Sequence, residues 1–163
     1  MDSESLVREL RELEMFDGIA ADHLRRLAEI CKLVEFPPNA EIFREQAPAK
    51  NVYILLAGRV SLSTCAEHVG CRQLTVAGRG ELLGWSPLVG RQWLSDTART
   101  LSPTRAITFD GAQALALCSQ DTHFGFTLML IVAQTLADRL GSTRRQLMEL
   151  SGSHLPVEPL ESD

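Results

Sequence analysis

No apolar run in this chain approaches the ~20 residues that a membrane-spanning helix needs, so a membrane-embedded protein is not expected. Clustered Lys and Arg are also lacking. The basic residues are mostly Arg and spread out, Arg139, Arg144 and Arg145 form the tightest group, and the formal net charge is -5 with a pI near 5.4. Binding to nucleic-acid backbone needs grouped cations that displace counterions, so direct DNA binding is not expected. The first residues, MDSESLVRELREL, are charged and periodic and lack the apolar region of a signal peptide, which points to a cytoplasmic protein. The four histidines, His23, His68, His123 and His154, are scattered over helix, turn, helix and tail, so neither a shared metal site nor a cofactor is expected. No P-loop, Ser/His/Asp order or Cys/His pair stands out. Ser86 lacks the glycines of a nucleophile elbow, so an enzyme is not the expectation.

The four cysteines form no CxxC pair and show no ligand spacing. Cys31 and Cys118 lie among apolar neighbours and read as small core residues. Cys65 and Cys71 flank a short turn that can bring their side chains together. For a cytoplasmic chain the expectation is nevertheless reduced thiols.

What is present is a chain of ordinary globular composition, 45% hydrophobic and 23% charged, long enough for one domain with a sizeable core. Leu6, Leu10 and Leu13 fall on one face of a first helix, which Asp2 or Ser3 can cap. A second helix is expected from about Ala21 to Cys31, with Leu24, Leu27, Ala28 and Cys31 on one stripe and His23 on its solvated side. From Lys32 the texture changes to short segments rich in Val, Ile, Leu, Phe and Thr, each cut by turn residues. They are 33–36, 42–43, 52–56, 60–64, 74–76, 97–101 and 106–109. Short strands at this spacing, without alternating helices, predict an antiparallel sandwich or barrel. Asp110 is placed to cap a short helix from Gly111 to Leu117, and Asp121 or Thr122 starts a long one. In that long helix Met129, Ala133, Leu136, Leu140, Thr143, Leu147 and Leu150 repeat with 4-3 spacing, the seam of a coiled coil. A homodimer through residues 121–150 is the expectation. The tail 151–163 is rich in Pro, Ser and acids and is expected to be disordered.

The order of helices, about eight short strands, a short helix and a long helix resembles the cyclic-nucleotide-binding domain, the jelly-roll sensor of the catabolite-activator family and of cyclic-nucleotide-regulated kinases and channels. Phe36-Pro37 with Ile42-Phe43-Arg44-Glu45 looks like the family's first strand pair. Val52-Tyr53-Ile54 with Gly58-Arg59-Val60-Ser61-Leu62 looks like its central one. Gly80-Glu81-Leu82-Leu83-Gly84 looks like the turn that opens the phosphate-binding cassette. The resemblance covers about Leu10 to Leu150. It implies a mainly β fold with flanking helices: an antiparallel β jelly roll (a double-stranded β-helix) with N-terminal helices and a long C-terminal helix, spanning residues 1–150.

The resemblance also implies a ligand loop between Gly80 and Arg99. In the family a short helix offers N–H groups to the cyclic phosphate, a Glu after the second Gly holds the ribose, and an Arg pairs with the phosphate. Here Trp85 stands at the Glu position and Leu94 at the Arg position, with Asp96 beside it. Ser86-Pro87 replaces a small apolar pair, and Gln46-Ala47 replaces a Gly-Asp turn. Arg91 serves instead if the loop slips by three residues, and Arg99 if its strand faces the cavity. On the long helix Thr143 matches a purine-contacting Thr. The expected ligand-binding set is therefore Gly84, Trp85, Ser86, Arg91, Thr97, Arg99 and Thr143. No helix-turn-helix is seen after Leu150. The expectation is a sensor that binds a ligand other than cyclic AMP and signals through an unidentified protein partner. The alternative is an interaction scaffold whose cavity is filled by Trp85 and Trp93.

Overall fold

The computed structural model describes residues 3–154 and Pro156. Two helices, α1 (Ser3–Arg11) and α2 (Ala21–Ile30), lead into eight strands: β1 (Cys31–Phe36), β2 (Glu41–Phe43), β3 (Asn51–Ala57), β4 (Val60–Ala66), β5 (Gly70–Ala77), β6 (Leu82–Leu83), β7 (Thr97–Thr100) and β8 (Thr104–Asp110). Then come α3 (Gly111–Gln120) and α4 (Thr122–Ser151). All strand pairs are antiparallel, and the two four-stranded sheets have the orders β1-β8-β3-β6 and β2-β7-β4-β5. This is the expected jelly roll with its N-terminal helices and long C-terminal helix.

Strand geometry explains why the core has two compartments. Successive side chains of a strand point to opposite faces. In β3, Val52, Ile54 and Leu56 turn toward a core shared with the helices, where they meet Leu10, Leu24, Leu27, Phe124 and Leu128. Leu55 turns the other way, into the space between the sheets, with Val60, Leu62, Leu83, Ala98 and Ala106. β8 divides likewise, Ile107 and Phe109 to the helical side and Ala106 to the inter-sheet side. A strand covered on both faces reads as a continuous apolar run rather than an alternation, which is why Val52–Leu56 stands out in the sequence.

Two glycines are required by geometry. Gly58 has φ +96°, and a Cβ there would lie 2.5 Å from Thr104 Oγ1, so the β3–β4 turn closes only on a residue without a side chain. Gly84 has φ +67°, and its Cβ would lie 2.9 Å from the Asn51 carbonyl oxygen. The helix caps fall where expected. Asp110 Oδ1 accepts from the N–H groups of Ala112 and Gln113, and Asp121 Oδ1 accepts from those of His123 and Phe124. Asp2 lies outside the described residues.

Four expectations need correction. Cys31 opens β1 rather than closing α2, though it is buried as foreseen. His23 is not a solvated residue. Its side chain is 11% exposed, 3.8 Å from the Asp121 carboxylate, with its ring centroid 5.0 Å from that of His123, because the start of α4 lies across this face of α2. Cys65 and Cys71 are joined by a disulfide, since β4–β5 register sets them directly opposite each other. The expected seam of α4 is also only partly free. Met129 and Leu136 pack against the domain's own core. Ala133, Leu140, Thr143, Leu147 and Leu150 of that seam stay exposed, and Ala133, Leu140 and Leu147 form one solvent-facing apolar stripe with Phe126, Leu130 and Ala137. In the expected tail, Ser151 ends α4 and Gly152–His154 form a 3-10 turn. Leu155 and 157–163 lie outside the described residues.

Candidate functional site

The segment after Gly84 is held by its backbone. The left-handed turn at Gly84 delivers the chain into a 3-10 turn, Ser86–Val89, with Pro87 in its first positions, where the missing N–H has no partner to lose. The expected short helix is therefore a single tight turn. It is pinned at both ends: Leu88 N–H donates to the Trp85 carbonyl, and Arg91 N–H donates to the Ser86 carbonyl. The carbonyl and N–H of Leu94 then pair with Gln46 and Ala47, and the Leu94 side chain is 5% exposed. Leu94 is thus a core residue that faces inward.

Beside this cassette lies an open cleft of about 1280 Å³, walled by the cassette, by β4–β5, by the connection after α1 and by one face of α4. Of the expected site residues, Trp85, Arg91 and Thr143 line it. Gly84, Ser86, Thr97 and Arg99 do not. Gly84 is committed to the turn against Asn51. Ser86 is 1% exposed within its own turn. Thr97 Oγ1 accepts from the Glu45 N–H, which fixes the loop after β2. Arg99 faces outward, donating to the Asn39 carbonyl at 3.0 Å and lying 3.4 Å from Glu41 Oε2. Trp93 is also away from the cleft, bridged to Pro48 and 53% exposed, so the cleft is not filled by two tryptophans.

Sequence reasoning missed the main charged contact of the cleft. Arg139 on α4 reaches across to the cassette, donates to the Leu82 carbonyl at 3.0 Å and lies 3.9 Å from Asp96 Oδ2. Both side chains are 21% exposed. Burial raises the Asp96 carboxyl above its ordinary pKa of 3.8, against the opposing pull of the Arg139 guanidinium and the Ser95 hydroxyl; Glu45 adds to the rise. Burial also lowers the Arg139 pKa, against Asp96 and Glu81. A guanidinium remains charged through such a shift. One signal for this contact was present in the sequence: Arg139 stands four residues before Thr143 and so shares its helix face.

The remaining charges are largely committed. Arg79 donates to the Leu56 carbonyl and to Glu12 Oε2. Glu81 accepts from the Gly78 N–H. Arg91 has no side-chain partner shown among the described residues and stands open at the cleft. Three arginines line the cleft (Arg79, Arg91 and Arg139) against five carboxylates: Glu12, Glu14, Glu81, Asp96 and Asp138. An isolated anion entering it meets an excess of negative charge. Among the described residues no group of His, Cys, Asp and Glu is arranged to hold a metal ion, and no helix is long and apolar enough to cross a membrane.

Comparison with known proteins agrees with this geometry. A family model, the cyclic nucleotide-binding domain, matches residues 33–121, from β1 through the start of α4. The CRP-like cAMP-activated global transcriptional regulator of Mycobacterium tuberculosis is 22% identical over 142 residues, 87% of this chain. The match spans 62% of that relative's length. A solved cyclic nucleotide-binding protein of Geobacter metallireducens is 26% identical with a TM-score of 0.72, covering 82% of this chain and 96% of the other. The c-di-GMP-responsive global regulator of Xanthomonas campestris shares the fold at 20% identity and a TM-score of 0.70, covering 81% of this chain and 65% of the other. With the jelly-roll order, the cassette turn and a family model that matches more than half its length, the chain belongs to the cyclic nucleotide-binding domain family.

Proposed function

We propose that the chain is a non-enzymatic sensor module that takes a ligand other than cyclic AMP in the cleft and signals through a protein partner. One observation carries this reading. Leu94, which the family resemblance sets at the phosphate-pairing position, is buried, and the Arg139 guanidinium in the cleft already faces Asp96. A charge-assisted hydrogen bond contributes about 1.5–3 kcal/mol, so losing it weakens a cyclic phosphate about tenfold or more. The cleft is nevertheless open and roomy. A fold with a c-di-GMP-responsive relative is not confined to cyclic mononucleotides, which favours a changed ligand over an empty scaffold.

Titration calorimetry with cyclic AMP is expected to show no low-micromolar binding, and such binding would overturn the reading. A thermal-shift screen of cyclic mono- and dinucleotides then looks for a raised Tm, because a ligand that binds only the folded state stabilises it. An anionic ligand found this way should lose about tenfold in affinity in Arg91→Ala and nothing in Arg99→Ala.

On this reading the module acts in the cytoplasm as a homodimer, with the exposed stripe Phe126, Leu130, Ala133, Ala137, Leu140 and Leu147 as the contact. Its spacing is 4-3-4-3-7, a heptad pattern broken only by Arg144. Sedimentation should give a dimer that Leu140→Glu splits; a wild-type monomer at micromolar concentration removes the dimer from the proposal.

A further inference from the structure

The disulfide lies outside everything the ligand reading uses. Cys65 and Cys71 are register partners on β4 and β5, with Cα atoms 3.9 Å apart and six residues of separation. The turn between them contains His68 in a left-handed conformation, φ +66°. Every residue from Cys65 to Leu74 is exposed. No buried apolar side chain holds this end of the hairpin; beyond the β4–β5 ladder, the covalent bond and one carboxylate tie it down. Glu45 Oε1 accepts from Thr64 Oγ1 at 2.6 Å, and its Oε2 accepts from the Cys65 N–H at 2.9 Å.

The other two cysteines differ in kind. Cys31 is buried, and burial pushes its thiol up to about 12. Cys118 is half-buried and its thiol is also raised, chiefly by burial. A thiolate is the reacting species in thiol–disulfide exchange, so both are poor participants. The exposed pair is open to small-molecule thiols and disulfides.

The pair is also wired to the cleft by two routes. Through β4, Cys65 is tied to Glu45, whose own N–H donates to Thr97 Oγ1, and Thr97 follows Asp96 in the chain. Through β5, Leu74 and Thr75 line the cleft, and the Leu74 carbonyl accepts from Gln146 of α4.

We propose that Cys65 and Cys71 form a reversible thiol–disulfide site whose partner is a small-molecule disulfide of the glutathione class, and that its state sets the order of the β4–β5 wall of the cleft. In oxidation one cysteine thiolate attacks the small disulfide. A mixed disulfide forms and one small thiolate leaves. The second cysteine thiolate then attacks the mixed disulfide at the protein sulfur. The Cys65–Cys71 bond forms and the second small thiolate leaves. The cysteines lose two electrons and two protons, and the small disulfide gains both as two thiols. Reduction runs the same steps backward. The reduced thiols anticipated from the sequence and the bond seen in the structure are then two states of one site.

The test uses the full chain and needs no ligand, so it stands apart from the fate of the ligand reading. The protein is equilibrated in buffers of graded reduced-to-oxidised glutathione ratio, alkylated without unfolding, and analysed by mass spectrometry. The expected result is a peptide pair at Cys65 and Cys71 that passes reversibly between two added alkyl groups and none, while Cys31 stays unmodified. Hydrogen exchange at 70–77 should lose protection in the reduced state. The double variant Cys65→Ser with Cys71→Ser should show the reduced-state exchange at every ratio. A pair that stays alkylated or glutathione-capped at all ratios overturns the proposal. So does a bond that no ratio reduces, or exchange at 70–77 that is the same in both states.

Discussion

The two halves of α4 are made of similar residues and do different work. In the first half Phe124, Leu128, Ile131 and Val132 are buried against α2 and the β3–β8 face, and a Cβ added at Gly125 would lie 2.9 Å from the Cys118 carbonyl oxygen, so α3 and α4 meet there on a residue without a side chain. In the second half Leu140, Leu147, Met148 and Leu150 are half or more exposed, and the helix is held to the domain through Arg139 to Leu82 and Gln146 to Leu74. Burial is non-directional and scales with area, whereas two polar contacts fix an orientation with little net free energy. The first half therefore anchors the helix, and the second half can change partners.

Leu128→Ala should remove about 2–5 kcal/mol of stability as a core truncation. Leu140→Ala should change the stability of the dilute protein by about 0.5 kcal/mol or less. Urea unfolding measures both, and equal costs would break the comparison. Next in size, Arg139→Ala leaves the Asp96 carboxylate in the cleft without its countercharge. Breaking a fully buried pair costs more, but both side chains keep 21% exposure, so about 1–3 kcal/mol is expected. Adding Asp96→Asn to that variant should restore part of the loss, and no restoration would mean that the pair is not what Arg139 supports.

The smallest effects are in pH dependence, and they have opposite signs at the two aspartates. The Asp121 carboxyl at the start of α4 is lowered, first by the Phe124 N–H, so its stabilising contribution is present above the ordinary 3.8 and is lost as pH falls through its folded value. The Asp96 carboxyl is raised by burial, so the folded state holds its proton longer than the unfolded chain. Its effect on stability is thus a decline as pH rises from 3.8 through the folded pKa. Asp96→Asn should abolish that decline and Asp121→Asn should abolish the acid loss, both read from denaturation midpoints across pH. A change of the same sign in both variants would contradict the assignment.

Most of the fold was legible because its signals are local. Turn residues such as Pro37-Pro38, Gly58 and Ser102-Pro103 cut the strands, Asp110 and Asp121 announce helix starts, and Leu6, Leu10 and Leu13 give the helical period. The cassette was legible as a frame for the same reason, since Gly80 and Gly84 mark turns by their own conformation. What failed was information that exists only between elements. Whether Arg99 faces the cleft depends on the β2–β7 pairing that sets it against Glu41. Whether Met129 belongs to a dimer seam depends on which side of α4 meets the core, and periodicity fixes a stripe without saying what covers it. His23 looked solvated because the residues that shield it, Asp121, His123 and Phe124, lie about a hundred positions later in the chain.

The double coverage of β3 sets where motion can start. Hydrogen-bonded to β8 on one edge and to β6 on the other, with apolar side chains packed above and below, its amides belong to the part of the molecule that opens only with global unfolding. The cassette grows from that strand through the Tyr53–Leu83 pairing, so its base rests on the most protected part of the fold. The hairpin end and the outer turns of α4 lack that double coverage, so local opening starts there, with the strand beneath the cassette as the fixed reference.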